Sequence, residues 1–146
     1  MIERTLAIFK PDAVAAGKSG AILARLEEEG FAVRGLKRLQ LTEGQARALY
    51  EVHRERPFFE GLVRFMTEGP VVVAALERED AVAHLRETMG ATDSRKAEAG
   101  SIRNLHGTDI ERNAIHGSDS AENAAREVGF FFSGAELVGS GLHESR

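Results

Sequence analysis

Six consecutive apolar residues, Val71-Val72-Val73-Ala74-Ala75-Leu76, follow a Gly69-Pro70 break and constrain the fold more than any other stretch. A short, uninterrupted run opening on three β-branched residues fits a strand buried in the middle of a sheet. The rest of the 146 residues must therefore supply its neighbours and cover. A chain of about 150 residues is long enough to do this as one domain with a real core. That domain is expected over 1–138, with a mobile tail from Gly139 to Arg146.

The flanking patterns supply the other elements. Thr5-Leu6-Ala7-Ile8-Phe9 reads as a strand that stops at a Lys10-Pro11-Asp12 turn. Ser19 to Glu29 carries Ile22, Leu23 and Leu26 at helical spacing and ends before Gly30, which predicts a helix. Phe31 to Leu41 predicts a second strand. Thr42-Glu43-Gly44-Gln45 has the T-x-x-Q form of a capping box and opens a helix that Arg56-Pro57 breaks. Phe58 to Met66 is a further short amphipathic piece. Asp80 is expected to cap a helix that ends at Gly90. From Ala91 to Ile115 no period holds, and an unpatterned stretch longer than roughly 12–15 residues is usually functional or disordered. A helix is expected from Asp119 through Glu127, a last strand at Phe130-Phe131-Phe132 and a final turn at Ser133-Gly134-Ala135-Glu136. This order fits a four-stranded α+β sandwich with helices on one face, although order alone leaves a flavodoxin-like parallel sheet open.

Composition removes several kinds of chemistry. With no cysteine there are no disulfides, no thiolate zinc site and no Cys nucleophile. Nineteen basic against twenty-three acidic residues, net −4, speak against a duplex-binding surface. The short apolar run after Met1 is broken at Lys10, unlike a signal peptide, and no stretch reaches the roughly 18 apolar residues of a membrane span. A soluble, cytoplasmic protein is expected. G-x-x-x-x-G-K-[ST] and G-x-G-x-x-G are both absent, so phosphate chemistry must use another scaffold.

The densest set of reactive groups is Arg112-Asn113-Ala114-Ile115-His116-Gly117-Ser118-Asp119-Ser120. A neutral imidazole is nucleophilic near pH 7 when its second nitrogen is held, and Glu127 on the following helix is a candidate holder. Gly117 is expected to leave room for a reactant, and the helix N-terminus favours anions. The same residues also fit a loop histidine beside an ordinary capped helix. Lys10, Arg86 and Arg103, with Thr92, could cradle a polyphosphate. Phe58-Phe59 could stack a base or simply enter the core. His106 with Asp109 and His116 with Asp119 are weak metal signals, and a divalent ion carried by substrate phosphates is the better expectation. Ser118 and Ser120 lie outside any G-x-S-x-G elbow.

Glu3-Arg4-Thr5, Lys10-Pro11-Asp12, Arg56-Pro57-Phe58-Phe59, Gly69-Pro70-Val71-Val72, Met89-Gly90-Ala91-Thr92, Gly100-Ser101-Ile102-Arg103 and Asn113 through Ser120 run in one order along the chain. Together they resemble the nucleoside diphosphate kinase family over residues 3 to about 138. The resemblance implies a ferredoxin-like sandwich with a four-stranded antiparallel sheet and a long nucleotide-binding loop. It also implies reversible, ping-pong transfer of the γ-phosphate between nucleoside tri- and diphosphates (ATP, GDP and others) through phosphorylated His116. By the same resemblance, Arg86, Thr92 and Arg103 hold phosphates, with His53 close by and Mg²⁺ bridging them. Lys10 and Asn113 bond the sugar hydroxyls and the transferring end. Phe58 stacks on the base beside Leu62 and Ile110, which predicts broad base tolerance because every base has a π-face. Tyr50 lies near the phosphorylated nitrogen, and Glu127 with Ser118 orients the ring. A homo-oligomer is implied, with no membrane or nucleic-acid partner.

Two departures from the family pattern stand out. Asn104-Leu105-His106-Gly107-Thr108-Asp109 replaces the usual start of the loop, and Ser94 replaces a usual proline. The alternatives are a phosphohistidine relay serving a protein partner and a non-catalytic binding module. A relay needs His116 but not Phe58, Lys10 and Asn113 together.

Overall fold

The computed structural model describes residues 1–139. The tail expected to be mobile lies outside the described residues from position 140 onward. Four strands, β1 (Ile2–Phe9), β2 (Ala32–Leu39), β3 (Val71–Glu79) and β4 (Ile115–Gly117), form one sheet in the order β2-β3-β1-β4. Every neighbouring pair is antiparallel. This is the ferredoxin-like arrangement, and it removes the flavodoxin-like alternative. The run Val71 to Leu76 is wholly buried in β3, between β1 and β2.

Helices α1 (Pro11–Ala15), α2 (Ser19–Glu28), α3 (Glu43–Leu49), α4 (Phe59–Thr67), α5 (Ala81–Met89), α6 (Ile102–His106) and α7 (Ala121–Phe131) cover the sheet. They lie on both faces, not on one. Strand residues alternate between two cores because successive side chains point to opposite sides. Leu6, Ile8, Val71, Val73 and Ala75 pack with α3, α4 and α7. Ala7, Phe9, Val72, Ala74 and Leu76 pack with α1, α2, α5 and α6. A central strand that is apolar at every position requires this second layer.

Local chemistry explains several element boundaries. Thr42 Oγ1 accepts the Gln45 N–H at 3.1 Å while Gln45 Oε1 accepts the Thr42 N–H at 2.9 Å, closing the expected box. Asp80 does not cap α5 through its side chain. It sits at φ 55, and the carboxylate of Glu3 accepts the Val82 N–H at 2.7 Å in its place. The expected Phe130–Phe132 strand is instead the end of α7, which buries Ala124, Glu127, Val128 and Phe131 at spacings of three and four. The fourth strand is the three-residue β4.

The stretch after Gly90 is folded, not patternless. It contains a 3₁₀ turn (Ser94–Lys96) and α6, whose cap Ser101 accepts the Asn104 N–H at 3.3 Å. The Ser94 N–H donates to the Asp109 carbonyl at 3.3 Å, a cross-loop bond that a proline has no N–H to make. No helix among the described residues is long and apolar enough to cross a membrane.

Candidate active site

His116 sits at the centre of β4, paired with Ile8 of β1. Its imidazole points to the α3/α7 side. Gly117 faces the other way, where a Cβ would come within 2.7 Å of Met89 Sδ and 2.9 Å of a Leu85 methyl. The glycine therefore lets β4 press onto α5. The expectation that it makes room for a reactant is corrected: the space is already filled by α5.

The imidazole is held on two sides. His116 Nε2 lies 2.8 Å from Glu127 Oε1, and the Ser118 hydroxyl donates to the same oxygen at 2.8 Å. Ser118 is fully buried and its oxygen also accepts the Leu6 N–H at 3.3 Å, so the support is tied to β1. Burial opposes the charge on Glu127, but the hydrogen bonds and charge of its His116 and Ser118 partners outweigh burial and hold its pKa below the usual value. Tyr50 meets the ring edge-on at 5.7 Å between centroids. The Tyr50 hydroxyl is buried without a partner, and burial together with the Glu127 charge pushes its pKa up, keeping it a neutral donor. With Nε2 committed, Nδ1 is the nitrogen left for chemistry.

A cleft of about 460 Å³ opens in front of this ring. One end is cationic: Arg86 from the last turn of α5, Thr92 and Arg103 of α6 line it. Arg103 is only 6% exposed and donates to the carbonyls of Gly90 at 3.1 Å and Ile115 at 2.8 Å, leaving Nε without a partner. Burial, then the neighbouring Arg86 charge, lowers its pKa to about 10. A buried guanidinium beside a second one, with no acid paired to it, stores an unmet demand for an anion.

The cleft continues past Lys10 and Asn113, which are joined by a 2.8 Å bond from Nζ to Oδ1. Asn113 in turn donates to the carbonyls of Thr92 and Ile110 at 2.9 and 3.1 Å. The far end is apolar: Phe58, half exposed, faces Leu62 and Ile110, with the His53 ring 5.4 Å from Phe58. Phe59, by contrast, enters the core. The structure thus brings the residues to which the resemblance gives roles into one cleft, except Ser118, which stands behind Glu127, whereas His106, Asp109 and Ser120 do not line it.

Leu49, Val52, Glu111, Asn123 and Arg126 also line the cleft and were not among the expected site residues, and Asp119, which the sequence offered only as a weak metal signal, lines it too. Spacings of three and four along α7 and its cap from Asp119 to Asn123 and on to Glu127 could have signalled the polar members of that face. Glu111 carries no such signal.

A protein-family comparison matches the nucleoside diphosphate kinase model over residues 3–137. The chain belongs to the nucleoside diphosphate kinase family. It is 58% identical to a nucleoside diphosphate kinase of Acidiphilium cryptum, covering 94% of this chain and 98% of that one. With a Sorangium cellulosum nucleoside diphosphate kinase it shares 54% identity over 95% and 96% of the two chains. Among solved structures, the Aquifex aeolicus nucleoside diphosphate kinase superposes with a TM-score of 0.92 at 52% identity, covering 94% of this chain and all of that one. A halophilic nucleoside diphosphate kinase from Halobacterium salinarum, in complex with CDP, gives 0.91 at 42% identity over 96% and 93%.

Proposed function

We propose that the chain is a nucleoside diphosphate kinase that transfers a terminal phosphate reversibly through His116. The observation that carries this reading is a histidine whose Nε2 is fixed by Glu127 while its ring faces a cationic cleft. The Nδ1 lone pair attacks the γ-phosphorus, the bond to the β,γ-bridging oxygen breaks, and the diphosphate leaves with that electron pair. The Nε2 proton stays on the ring, and Glu127 offsets the positive charge that develops there. In the second half-reaction a terminal oxygen of the acceptor diphosphate attacks phosphorus and the N–P bond breaks. No proton need move in either half, so positioning and charge neutralisation supply the catalysis.

Arg86, Thr92 and Arg103 hold the phosphates, and His53, beside Phe58, approaches them from the base end of the cleft. Lys10 and Asn113 take the sugar hydroxyls and the transferring end, Tyr50 offers its hydroxyl to a phosphoryl oxygen, and Phe58 stacks on the base beside Leu62 and Ile110. Mg²⁺ suits this cleft as an ion borne by the nucleotide. Asp119, its pKa lowered chiefly by a 2.6 Å bond from Asn123, lines the cleft with Glu111 and Glu127, and as a carboxylate in the charge environment of Arg86 it would suit an ion carried by phosphate oxygens and water. When bound, the ion supplies neutralisation of phosphate charge. A relay to a protein would need no base-and-sugar end, and the sharing of one cleft by Phe58, Lys10, Asn113 and the histidine favours the nucleotide reading.

The reading includes one catalytic domain over 1–138 acting in the cytoplasm. It also includes self-association, which the edge position of β2 in the sheet and its half-exposed Leu36 support. The decisive kinetic test is initial rate against triphosphate at several fixed diphosphate concentrations. Parallel double-reciprocal lines are expected, and intersecting lines would exclude two separate half-reactions.

Two further results are expected. Phe58→Ala weakens binding of purine and pyrimidine nucleotides by a similar factor, roughly fivefold, the lower end of stacking energies because the ring is half exposed. Calorimetric titration with four diphosphates checks it, and a loss confined to one base would contradict stacking. Lys10 gives a pH dependence. Burial and then Arg103 lower its pKa to about 7, against the opposing charges of Asp12 and Glu111. Bound phosphate raises that pKa, so above about pH 7 binding must take up a proton. Affinity then falls as pH rises, approaching tenfold per pH unit until the pKa of the complex is reached. Lys10→Met flattens this limb.

A further inference from the structure

The turn that carries the histidine strand is itself under constraint. Ala114, the residue between Asn113 and β4, has φ 71, a left-handed value unusual for a residue with a Cβ. The Ile115 N–H donates back to the Asn113 carbonyl at 2.8 Å, closing a three-residue turn around it. Turns of this hand are rare and strained and persist only when the surroundings hold them. Both backbone groups of Ala114 are held by one short segment. Its carbonyl accepts the Lys10 N–H at 2.8 Å, and its N–H donates to Asp12 Oδ2 at 3.1 Å.

Asp12 lies at the start of α1, outside the cleft, and its second oxygen is buried with no partner. A carboxylate that is costly to bury, placed where it clamps the one strained link between Asn113 and His116, is poorly explained as a helix-terminus residue alone. Its charge also reaches the cleft. Lys10 faces Asp12 on its own segment, Arg103 from α6, Glu111 from the loop before β4, and Arg112, whose guanidinium shares the Phe65 ring with the Lys10 ammonium at 4.8 and 6.0 Å. Asp12 and Glu111 are the two groups of this set that favour the ammonium.

We propose that Asp12 is a positioning residue for phosphate transfer, clamping the Ala114 turn so that His116 and the Lys10–Asn113 pair stand in fixed relation. The inference rests on the nucleotide-transfer reading above. It assigns Asp12 no contact with substrate. The clamp acts on geometry, and a displacement of about 1 Å at a reacting centre can cost a hundredfold in rate.

The test compares Asp12→Asn, Asp12→Ala and the double variant Asp12→Ala/Ala114→Gly with wild type. Asp12→Ala lowers kcat roughly ten- to a hundredfold with KM changing only a few-fold, because Phe58 and Arg103 are untouched. Asp12→Asn keeps an oxygen for the Ala114 N–H and recovers most of kcat at pH 6. Its alkaline limb of nucleotide affinity, measured by calorimetry without turnover, nevertheless moves to lower pH. A114G lets the turn form without a clamp and restores part of the kcat lost in Asp12→Ala. A kcat of Asp12→Asn at pH 6 as low as that of Asp12→Ala overturns the clamp, and an unmoved limb shows that the Asp12 charge does not act on Lys10. A wild-type kcat in Asp12→Ala, or a defect that A114G does not relieve, overturns the clamp. If Asp12→Ala does not fold, the Asp12→Asn kcat and limb decide. Absence of transfer in wild type would instead strike the underlying reading, and the calorimetric limb remains readable in that case.

Discussion

Replacing His116 by alanine lowers phosphate transfer by at least roughly four orders of magnitude, about 5.5 kcal/mol of transition-state stabilisation. Nucleotide binding stays within a few-fold of wild type. In the proposed mechanism the side chain is the nucleophile and contributes little to holding the nucleotide, a role that reading gives to Phe58, Lys10, Asn113, Arg86 and Arg103, which line the same cleft. The fold tolerates the change because the imidazole projects from an edge strand into the cleft and leaves both cores intact. The direct loss is one partner of Glu127, which keeps the Ser118 hydroxyl, so a cost of about 1–3 kcal/mol in stability is expected. A coupled assay for triphosphate formation and a calorimetric Kd check the two halves of the statement. Transfer at more than a hundredth of the wild-type rate would move the nucleophile elsewhere.

The second large effect falls on Glu127. Its Oε1 accepts from both His116 Nε2 and Ser118 Oγ, so Glu127→Ala strands two donors and frees the imidazole to rotate or change tautomer. A loss of roughly 10²–10³ in kcat is expected, within the range of acid–base and orienting groups. Glu127→Gln separates geometry from charge. An amide oxygen in the Oε1 position can still accept both bonds, but it cannot offset the positive ring, and its NH₂ would face Arg126, now 3.8 Å from Oε2. The glutamine variant should therefore fall between wild type and Glu127→Ala, at about a tenfold loss for one charge-assisted bond made neutral. Single-turnover rates of enzyme phosphorylation measure this without product release. Equal defects in both variants would mean that charge alone matters. No defect in either would mean that Nε2 is not the supported nitrogen.

Much of this architecture can be read from residue patterns, for identifiable reasons. The β3 run, the Thr42–Gln45 box and the Gly30 stop are local signals, each carried by the residues that form the feature. β4 leaves no such trace, since three residues with an imidazole at the centre and a glycine chosen for α5 packing show neither alternation nor a β-branched run. Phe130 to Phe132 mislead for the opposite reason. Three aromatics look like a strand, yet Phe130 and Phe131 lie on α7, as the spacing of Ala124, Val128 and Phe131 requires, and Phe132 caps its end. Asp80 has the chemistry of a cap but adopts φ 55, and the capping oxygen comes from Glu3, on the strand paired with the end of β3. Such a partner is set by tertiary contact and is invisible to neighbours in sequence.

The site divides along the same line. His116, Glu127 and Ser118 cluster within twelve positions, and the distant Lys10, Phe58, Arg86 and Arg103 stand out as residue types but receive their roles only from the resemblance. Glu111 and Arg126 enter only because folding turns their segments toward the cleft. Ser94 shows a departure absorbed by the loop: its backbone N–H bonds Asp109, and its side chain packs against Gly107, where any Cβ would collide with it.

The most direct test is to incubate the isolated protein with ATP labelled at the γ-phosphate and Mg²⁺, remove nucleotide, and chase with GDP. The expected result is an acid-labile, base-stable label on His116, absent from His116→Ala and discharged completely as GTP. Label that GDP does not remove would contradict nucleotide transfer in favour of a relay. The absence of label from a protein that binds ATP would contradict the phosphohistidine itself.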